Sequence, residues 1–480
     1  MRLGNVLATK FMVLVVAGLA STSQGRDDSL PHSNECAYVA DASRAQGRNE
    51  ATNDPFYQRK TIYVTWIMIW NGSTEKGWWK PDDYNGCKVK VDGTWQSINW
   101  NERKHIQAYF DAMLAAGMNV IVADFTNGFR WKWQAQLIQQ LCHEHGMKFA
   151  IAFNPQGGRA MEAGCKTVWE NYAAPELPHA AAYLHQQGKP LVVLYTIRKG
   201  YADSTAQDGE YRRKFATVWA SGEDSSSDKW GWQVEPAVGP VASANAMFLT
   251  GSVKFNSPRT GADQWRRHLS WLDYGFVMAQ RNRPQYVIVG SFDDVHERNS
   301  WLVADTAQAA RGWQMRDVTG TLSTDAWYQR VSDWVLRGKP RTMAGGLIRD
   351  GAYRLIGTDG RLASVADNRK VESPVVLLAN VGKLDNYLWF YHLGNQKYRI
   401  IKLNAGMPLE TAGGVVRINW DNDEAAQCWT ARNTGGRFAF INNATGEALD
   451  TAGDAVVTRK CDARAASQWW TLIEEAVVPR

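Results

Sequence analysis

The chain has 480 residues, a net charge of +6, a 45% apolar fraction and a 21% charged fraction. That is an ordinary globular balance, long enough for two or three cored domains or for one large barrel plus a smaller domain. Lys and Arg are scattered rather than clustered, which argues against a dedicated nucleic-acid surface. Tryptophan is the outlier at 23 residues, and indole suits sugar rings as well as cores because it offers a flat apolar face with one donor.

At the N-terminus, Arg2 and Lys10 precede an apolar run from Phe11 to Ala20, and small residues follow. This charged, apolar, small order is that of a secretory signal, assigned to residues 1–25, with a polar extension over 26–56. The run is shorter than the ~20 residues that a spanning helix needs, and no later stretch reaches that length. The expectation is therefore export (secreted, periplasmic or extracellular) without a membrane span; an uncleaved anchor is the alternative. Six cysteines remain after export, none in a CxxC pair. Cys428 and Cys461 fall in the same small domain and are the candidate disulfide, with free thiols as the alternative. Asn71-Gly-Ser73 and Asn443-Ala-Thr445 are glycosylation sequons.

Residues 57–343 alternate between two patterns. Apolar strand-like runs fall at Thr61–Trp70, Asn119–Phe125, Lys148–Asn154, Pro190–Thr196 and Gln285–Phe292. Helical patterns over 102–117 and 134–146 each end in glycine. Phe215–Ser221, Gly231–Pro236 and Ala246–Gly251 read as further strands. Repeated βα units make a parallel sheet with helices outside, and the length predicts an α/β fold closed as a (β/α)8 TIM-like barrel. A doubly wound open sheet is the alternative, although no GxGxxG follows the first strand to mark a dinucleotide site.

In such a barrel the chemistry sits at the C-terminal strand ends. Those ends carry Trp66, Asp124, Trp131, Asn154, Tyr195, Trp232, Glu235 and, last, Asp294, His296 and Glu297. Carboxylates, amides and indoles on one rim are what glycoside hydrolysis uses: one protonated and one ionised carboxyl group, with aromatic faces for the rings. Asp124, Asn154, Tyr195, Glu235 and His296 are read as contacts to substrate, and Trp66, Trp131 and Trp232 as stacking faces. Each has a structural alternative: Asp124 as a helix cap, Trp66 as core, Asn154 as the start of a turn before Pro155. The cluster Asp293, Asp294, His296 and Glu297 has three readings: a hydrolytic pair, a divalent-cation site and a hydrogen-bonded loop. Four near-consecutive positions rarely converge on one ion without ligands from elsewhere, so no metal and no cofactor is expected.

The order Ser291-Phe-Asp-Asp-Val-His-Glu297 after an apolar strand resembles the Ser-Phe/Trp-Asn-Glu-Trp-His-Glu signature of endo-α-mannosidase-like glycoside hydrolases, families ninety-nine and seventy-one. The resemblance implies that Glu297 is the general acid/base, that Asp294 assists the substrate's own 2-hydroxyl, and that configuration is retained. Two positions depart from the signature: Asp294 is one methylene shorter than the family's glutamate, and Arg298-Asn299 replaces Gly-Thr. The expected function is cleavage of an α-linked polysaccharide or glycan of the α-mannan or α-glucan class. The alternative is a non-catalytic, secreted glycan-binding protein with a degenerate barrel.

Residues 347–480 contain a threefold repeat. Segments starting at Tyr353, Tyr398 and Phe438 end near Trp389, Trp429 and Trp470, with Gly, Asn and Asp turns between short strands. One such unit cannot bury its apolar face alone, but three around an axis share a core. The Gln-x-Trp element, intact at Trp429 and Trp470 and altered to Tyr387-Leu-Trp389, resembles the ricin-type β-trefoil lectin repeat. By that resemblance the sugar-holding acids are Asp450 and Glu410, with Trp420 as the platform beside Glu410; repeat one carries Ser364 there and lacks the acid. The expected partner is a polysaccharide or glycan, and a purely structural trefoil is the alternative.

Overall fold

The computed structural model describes residues 54–69, 88–126, 128–129, 131–155, 158–195, 209–220, 230, 246–250, 268–292, 301–303, 316–367, 370–379 and 386–479. The chain divides into two units, Met1–Tyr38 and Val39–Arg480, and all described residues belong to the second. The expected signal sequence, Cys36 and Cys87 lie outside them.

The first module contains β1 (Ile62–Ile67), the hairpin β2 (Lys88–Val91) and β3 (Thr94–Ser97), β4 (Val120–Asp124), β5 (Lys148–Phe153), β6 (His185–Gln186), β7 (Lys189–Leu194), β8 (Ala216–Trp219), β9 (Ala246–Thr250) and β10 (Tyr286–Gly290). Its helices are α1 (Arg103–Ala115), α2 (Lys132–Glu144), α3 (Gly158–Val168), α4 (Leu269–Asn282) and α5 (Ala326–Arg337). The strands are apolar almost throughout because both faces are covered. Helix α1 forms because Ile106, Tyr109, Phe110 and Met113 recur at helical spacing and bury one face.

Seven strands lie parallel in the order β8-β7-β5-β4-β1-β10-β9, with β6 antiparallel to the start of β7. From β1 the chain winds one way through β4, β5, β7 and β8. On the other side of β1, the last strands return in descending order, β10 then β9. A doubly wound sheet places ascending strands on both sides, so this order has a single winding sense. The sheet is also curled. Strands β8 and β10 are five places apart, or about 24 Å in a flat sheet. Yet the Trp230 N–H donates to the Trp219 carbonyl beside β8 at 2.7 Å, while the Trp230 ring lies 5.3 Å from that of Tyr286 on β10. One interior core collects side chains from all seven strands, including Val64, Val122, Ala152, Val193, Val218, Phe248 and Ile288. The described residues thus give seven parallel strands around one interior; the eighth strand of the expected (β/α)8 closure is not among them.

The second module has twelve strands: β11 (Gly351–Ile356), β12 (Leu362–Val365), β13 (Val375–Leu378), β14 (Leu388–His392), β15 (Lys397–Lys402), β16 (Met407–Ala412), β17 (Val415–Ile418), β18 (Cys428–Thr434), β19 (Arg437–Asn442), β20 (Glu447–Ala452), β21 (Ala455–Lys460) and β22 (Thr471–Val477). Six of them form a closed ring, β11-β14-β15-β18-β19-β22 and back to β11. The other six form hairpins β12–β13, β16–β17 and β20–β21, which meet at Val376 with Ala455, Val415 with Val457 and Pro374 with Arg417. A six-stranded ring capped by three hairpins is the β-trefoil arrangement, and one core fills it.

The ring corrects the expected repeat register. Tyr398 pairs with Trp429 and Phe438 with Trp470, and the corresponding pair in repeat one is Tyr353 with Leu388. Leu388, not Trp389, therefore takes the tryptophan's place in the trefoil core, and Trp389 packs in the first module's outer core. The candidate disulfide is also corrected. Cys428 and Cys461 are free, because Cys428 sits on β18, between β15 and β19, whereas Cys461 follows β21, which pairs with β20, β13 and β17.

The two modules meet on α4, α5 and the strand β14. Asp273 of α4 is fully buried and accepts four hydrogen bonds. They come from Arg330 Nε at 2.8 Å and NH2 at 2.5 Å, Trp334 Nε1 at 2.6 Å, and the Tyr391 hydroxyl of β14 at 2.6 Å. Around it the Phe276 and Trp334 rings stack at 5.3 Å, and Trp389, Ile401 and Leu403 of the trefoil join the same core. Removing the carboxylate leaves the Arg330 charge buried without compensation. Asp273→Ala should therefore lower unfolding free energy by about 3–5 kcal/mol in chemical denaturation. A loss below about 1 kcal/mol, the level of an exposed pair, would contradict this assignment.

Candidate functional site

The C-terminal ends of adjacent strands β1, β4, β5 and β7 bring four expected residues together. Side chains alternate along a strand, and Trp66, Val122, Ala152 and Val193 face the interior. Asp124 and Asn154 share that parity, and Tyr195 packs against the same interior core. Asp124 is buried: its Oδ2 accepts from Trp66 Nε1 at 2.8 Å, and its Oδ1 accepts from the Thr126 N–H at 2.7 Å and hydroxyl at 2.5 Å. Burial pushes its carboxyl above the usual range, against the pull of the Thr126 and Trp66 hydrogen bonds. Two expectations change as a result. Trp66 is wholly buried and its indole is spent on Asp124, so it supplies no stacking face. Asp124 in turn fixes the strand end rather than meeting substrate hydroxyls directly. Asn154 and Tyr195 are half-buried at the opening, and the Asn154 amide has no hydrogen-bond partner among the described residues. Trp131 stands just before α2, half-buried against the outer core, apart from that interior face.

Asp293, Asp294, His296, Glu297, Trp232 and Glu235 lie outside the described residues. The chain on either side of the acid cluster is described: Leu302 N donates to Phe292 O at 2.9 Å, and Phe292 N donates to Trp66 O at 2.7 Å. Both flanks are therefore fastened to the strand-end edge beside Trp66. Among the described residues no group of His, Cys, Asp or Glu is placed to hold a metal, and no helix is long and apolar enough to cross a membrane.

In the trefoil, repeat two builds the fullest pocket. Glu410 on β16 is buried and held by three side chains. Arg417 donates to its Oε1 at 2.9 and 3.1 Å, Asn419 Nδ2 lies 3.0 and 3.1 Å from its two oxygens, and Gln427 Nε2 donates to Oε2 at 3.1 Å. Gln427 also donates to the Trp420 carbonyl at 2.7 Å, and the Asn419 side chain accepts from the Trp420 N–H at 2.8 Å. These bonds fix the backbone of Trp420, whose side chain is 37% exposed. Repeat three keeps the acid and the glutamine, since Gln468 Nε2 donates to Asp450 Oδ2 at 3.1 Å, but Arg459-Lys460 stands where Asn419-Trp420 does. Repeat one has Ser364 for the acid and Asn386 for the glutamine. Asn386 is one methylene shorter, and among the described residues both its buried polar atoms are without a partner. Sequence reading found Glu410, Asp450 and Trp420 but missed Asn419, Arg417 and the glutamine's supporting role; Asn419 stands directly before Trp420, and Gln427 is the first residue of the repeat element itself.

Beneath this pocket, Arg399 is completely buried and donates to Gln427 Oε1 at 2.6 Å, Thr319 O at 2.8 Å, Asn422 O and the Asp421 carboxylate. Asp421 faces His268, the cap of α4, at 3.5 Å, and among the described residues neither Asp421 Oδ2 nor His268 Nε2 has a hydrogen-bond partner. Burial raises Asp421 to about 6 even beside Arg399. Burial, with Arg399 and Arg330 nearby, keeps His268 well below its usual range. Gly320 closes the seam: it has φ +89°, and a Cβ there would collide with Asn422 and Arg399.

No family's sequence model matches the chain, and none of the curated proteins matches it. Solved structures do show likeness over about a quarter of it. A designed threefold-symmetric protein, ThreeFoil, is 21% identical, with 26% of this chain and all of that chain covered at a TM-score of 0.25. The Polyporus squamosus lectin, solved with a human-type influenza-binding epitope, is 18% identical, with 27% of this chain and 50% of that one covered at 0.25. SeviL, solved with the asialo-GM1 saccharide, is 18% identical, with 26% and 98% covered at 0.23. At these scores the trefoil stands on its own strand pairings.

Asp421 gives the pocket floor a pH signature. Its folded value of about 6 exceeds the ordinary 3.8, so between those values the folded chain holds a proton that the unfolded chain has released. Stability from this group is then lost as pH rises through that window. Between about pH 4 and pH 6, wild type should lose more stability than Asp421→Asn in denaturation measured across that range. Equal slopes would show that Asp421 does not titrate there.

Proposed function

We propose that this chain is a glycan-binding protein whose second trefoil repeat holds a sugar on Trp420. The observation that carries this reading is the fixed cluster of Glu410, Arg417, Asn419 and Gln427 beneath a half-exposed indole. A pyranose ring offers an apolar C–H face to the indole and hydroxyls around its rim. The Asn419 side-chain oxygen, which already accepts from the Trp420 N–H, keeps a second lone pair for a sugar hydroxyl. Glu410, its oxygens already committed, orients Asn419 and Arg417 at the pocket lip. Repeat three, with Asp450 and no aromatic, is a weaker site, and repeat one is structural. In a glycan array, Trp420→Ala should lower binding at least about tenfold, in line with the loss of one stacked aromatic contact. Wild-type binding that survives both Trp420→Ala and Asn419→Ala would sink the reading.

The first module supports a second, catalytic reading. Its single winding sense and shared interior favour a (β/α)8 barrel. The strand-end edge that holds Asp124, Asn154 and Tyr195 also fastens both flanks of the acid cluster. In this reading Glu297 is the general acid/base and Asp294 assists the substrate 2-hydroxyl, with retention of configuration. His296, Glu235 and Trp232 complete the substrate contacts. The enzyme would be an exported glycoside hydrolase acting on an α-mannan or α-glucan, held on its polymer by the trefoil. On a polysaccharide panel, Glu297→Gln should lower reducing-sugar release at least about a hundredfold, the usual contribution of general acid–base catalysis. Array binding without turnover of any polysaccharide would leave the trefoil function standing and reduce the first module to a scaffold.

A further inference from the structure

One pair of buried side chains joins the cap of α4 to the floor of the repeat-two pocket. The His268 Nδ1 accepts from the Ser270 N–H at 3.1 Å. A backbone N–H can only donate, so this nitrogen carries a lone pair and the neutral ring holds its proton on Nε2. Nε2 stands 3.5 Å from Asp421 Oδ2, both side chains are almost wholly buried, and among the described residues neither atom has a hydrogen-bond partner. An ionised Asp421 suits this arrangement, because an N–H then faces a carboxylate oxygen. A protonated Asp421 does not. Its Oδ1 already accepts from Arg399, so the added proton falls on Oδ2 and meets the one on Nε2. Moving the ring proton to Nδ1 would only turn it against the Ser270 N–H. One ring proton cannot serve both neighbours, so protonating Asp421 breaks either the helix cap or the seam.

Charged groups reach this pair from every side. Arg399 of β15 pairs with Asp421, and Arg316 and Asp317, in the connection leading to α5, act on the same carboxyl. Arg330 of α5 acts on His268 but is itself matched by Asp273 of α4, with Asp350 nearby. The Tyr391 ring of β14 lies 5.4 Å from the His268 ring. Burial holds the Asp421 carboxyl up at about 6, whereas burial, with Arg399 and Arg330, keeps His268 neutral, so the acid is the member that titrates. Its charge matters to the pocket because Asp421 directly follows Trp420. Arg399 links Asp421 to Gln427 Oε1 at 2.6 Å, the Asn422 N–H donates to the same oxygen at 3.0 Å, and Gln427 Nε2 holds the Trp420 carbonyl at 2.7 Å. Losing the Asp421 charge therefore weakens the hold on the segment that positions the indole.

We propose that Asp421 and His268 make glycan binding at Trp420 proton-linked: the ionised acid holds the pocket floor against α4 at neutral pH, and acid releases both the floor and the sugar. This is regulation of the repeat-two site, so it rests on the glycan-binding reading above. The bound state favours the ionised acid, so binding expels a proton and affinity falls as pH falls. The same proton adds to global stability, because it relieves a buried charge, so acid opens the pocket without unfolding the chain.

Two measurements on the full chain test this, one without sugar and one with it. In hydrogen exchange, corrected for the intrinsic effect of pH on exchange, the Ser270, Trp420 and Asn422 amides of wild type should be less protected at pH 5 than at pH 7. In titration calorimetry with the neutral oligosaccharide that ranks first on the glycan array, affinity should fall about tenfold from pH 7 to pH 5, and at pH 5 binding should release about one proton, read from the dependence of the heat on buffer ionisation. Asp421→Asn, which cannot ionise, should bind alike at both pH values. His268→Asn keeps a capping side chain on α4 but removes the ring, and should shrink the pH difference. The wild-type measurements need no variant, so a variant that fails to fold does not spare the proposal. Protection and affinity that ignore pH in wild type overturn it, as does a pH dependence retained in full by Asp421→Asn. If the oligosaccharide binds through Trp420 equally at both pH values, this inference fails and the glycan-binding reading stands; if no glycan binds at either, both fail.

Discussion

The architecture depends on one buried carboxylate. Asp273 sits at zero exposure between two modules and receives Arg330 and Trp334 from α5 and Tyr391 from the trefoil. A buried charge is tolerable only when its lone pairs are filled and an opposite charge is adjacent, and both conditions are met only while α4, α5 and β14 are in register. Apolar packing then follows the polar anchor: Phe276 stacks on Trp334, and Trp389 leaves the trefoil to join that core. The trefoil is therefore held in a fixed orientation, not tethered by a loose linker, which changes how it can help a substrate-binding partner. A tether raises local concentration; a fixed seam also sets direction.

That direction has a structural basis. Helix α4 joins two parallel neighbours, β9 and β10, so it must run back against them, and its first turn stands level with the strands' C-terminal ends. His268 caps that turn and faces Asp421, the residue after Trp420. From Asp421, contacts pass through Arg399 and Gln427 to Glu410. The floor of the repeat-two pocket and the strand-end edge thus belong to the same end of the unit. Gly320, in the connection leading to α5, is pressed against Asn422 and Arg399 and completes the seam.

Much of the secondary structure was legible because it follows from local rules. Strands buried on both faces read as apolar runs, and α1 and α2 stop at Gly117 and Gly146, both with positive φ. The repeat period was legible too, since each trefoil hairpin must bury the same face. Register was not. Trp389 stands 40 residues before Trp429, but the pairing of Tyr353 with Leu388 shows that the core position in repeat one has been given to a leucine. A neighbouring tryptophan serving a different core leaves the same spacing in the sequence, and only the strand ladder separates them. Likewise Trp66 and Asp124 were legible as a strand-end pair but not as partners, because a 2.8 Å bond between residues 58 positions apart depends on neighbouring strands. Helix α4 escaped a pattern reading because it is buried nearly all round, so no polar face marks its period.

The central claim is that Trp420 and Asn419, fixed from below by Glu410 and Gln427, form the sugar site. The most direct measurement is a crystal structure of the full chain soaked with an oligosaccharide drawn from the best array binders. The account predicts one ring lying flat on the Trp420 indole, with a hydroxyl at hydrogen-bond distance from the Asn419 amide and the Glu410 cluster unmoved. A saturating ligand found elsewhere on the trefoil, with the Trp420 face bare, would contradict it.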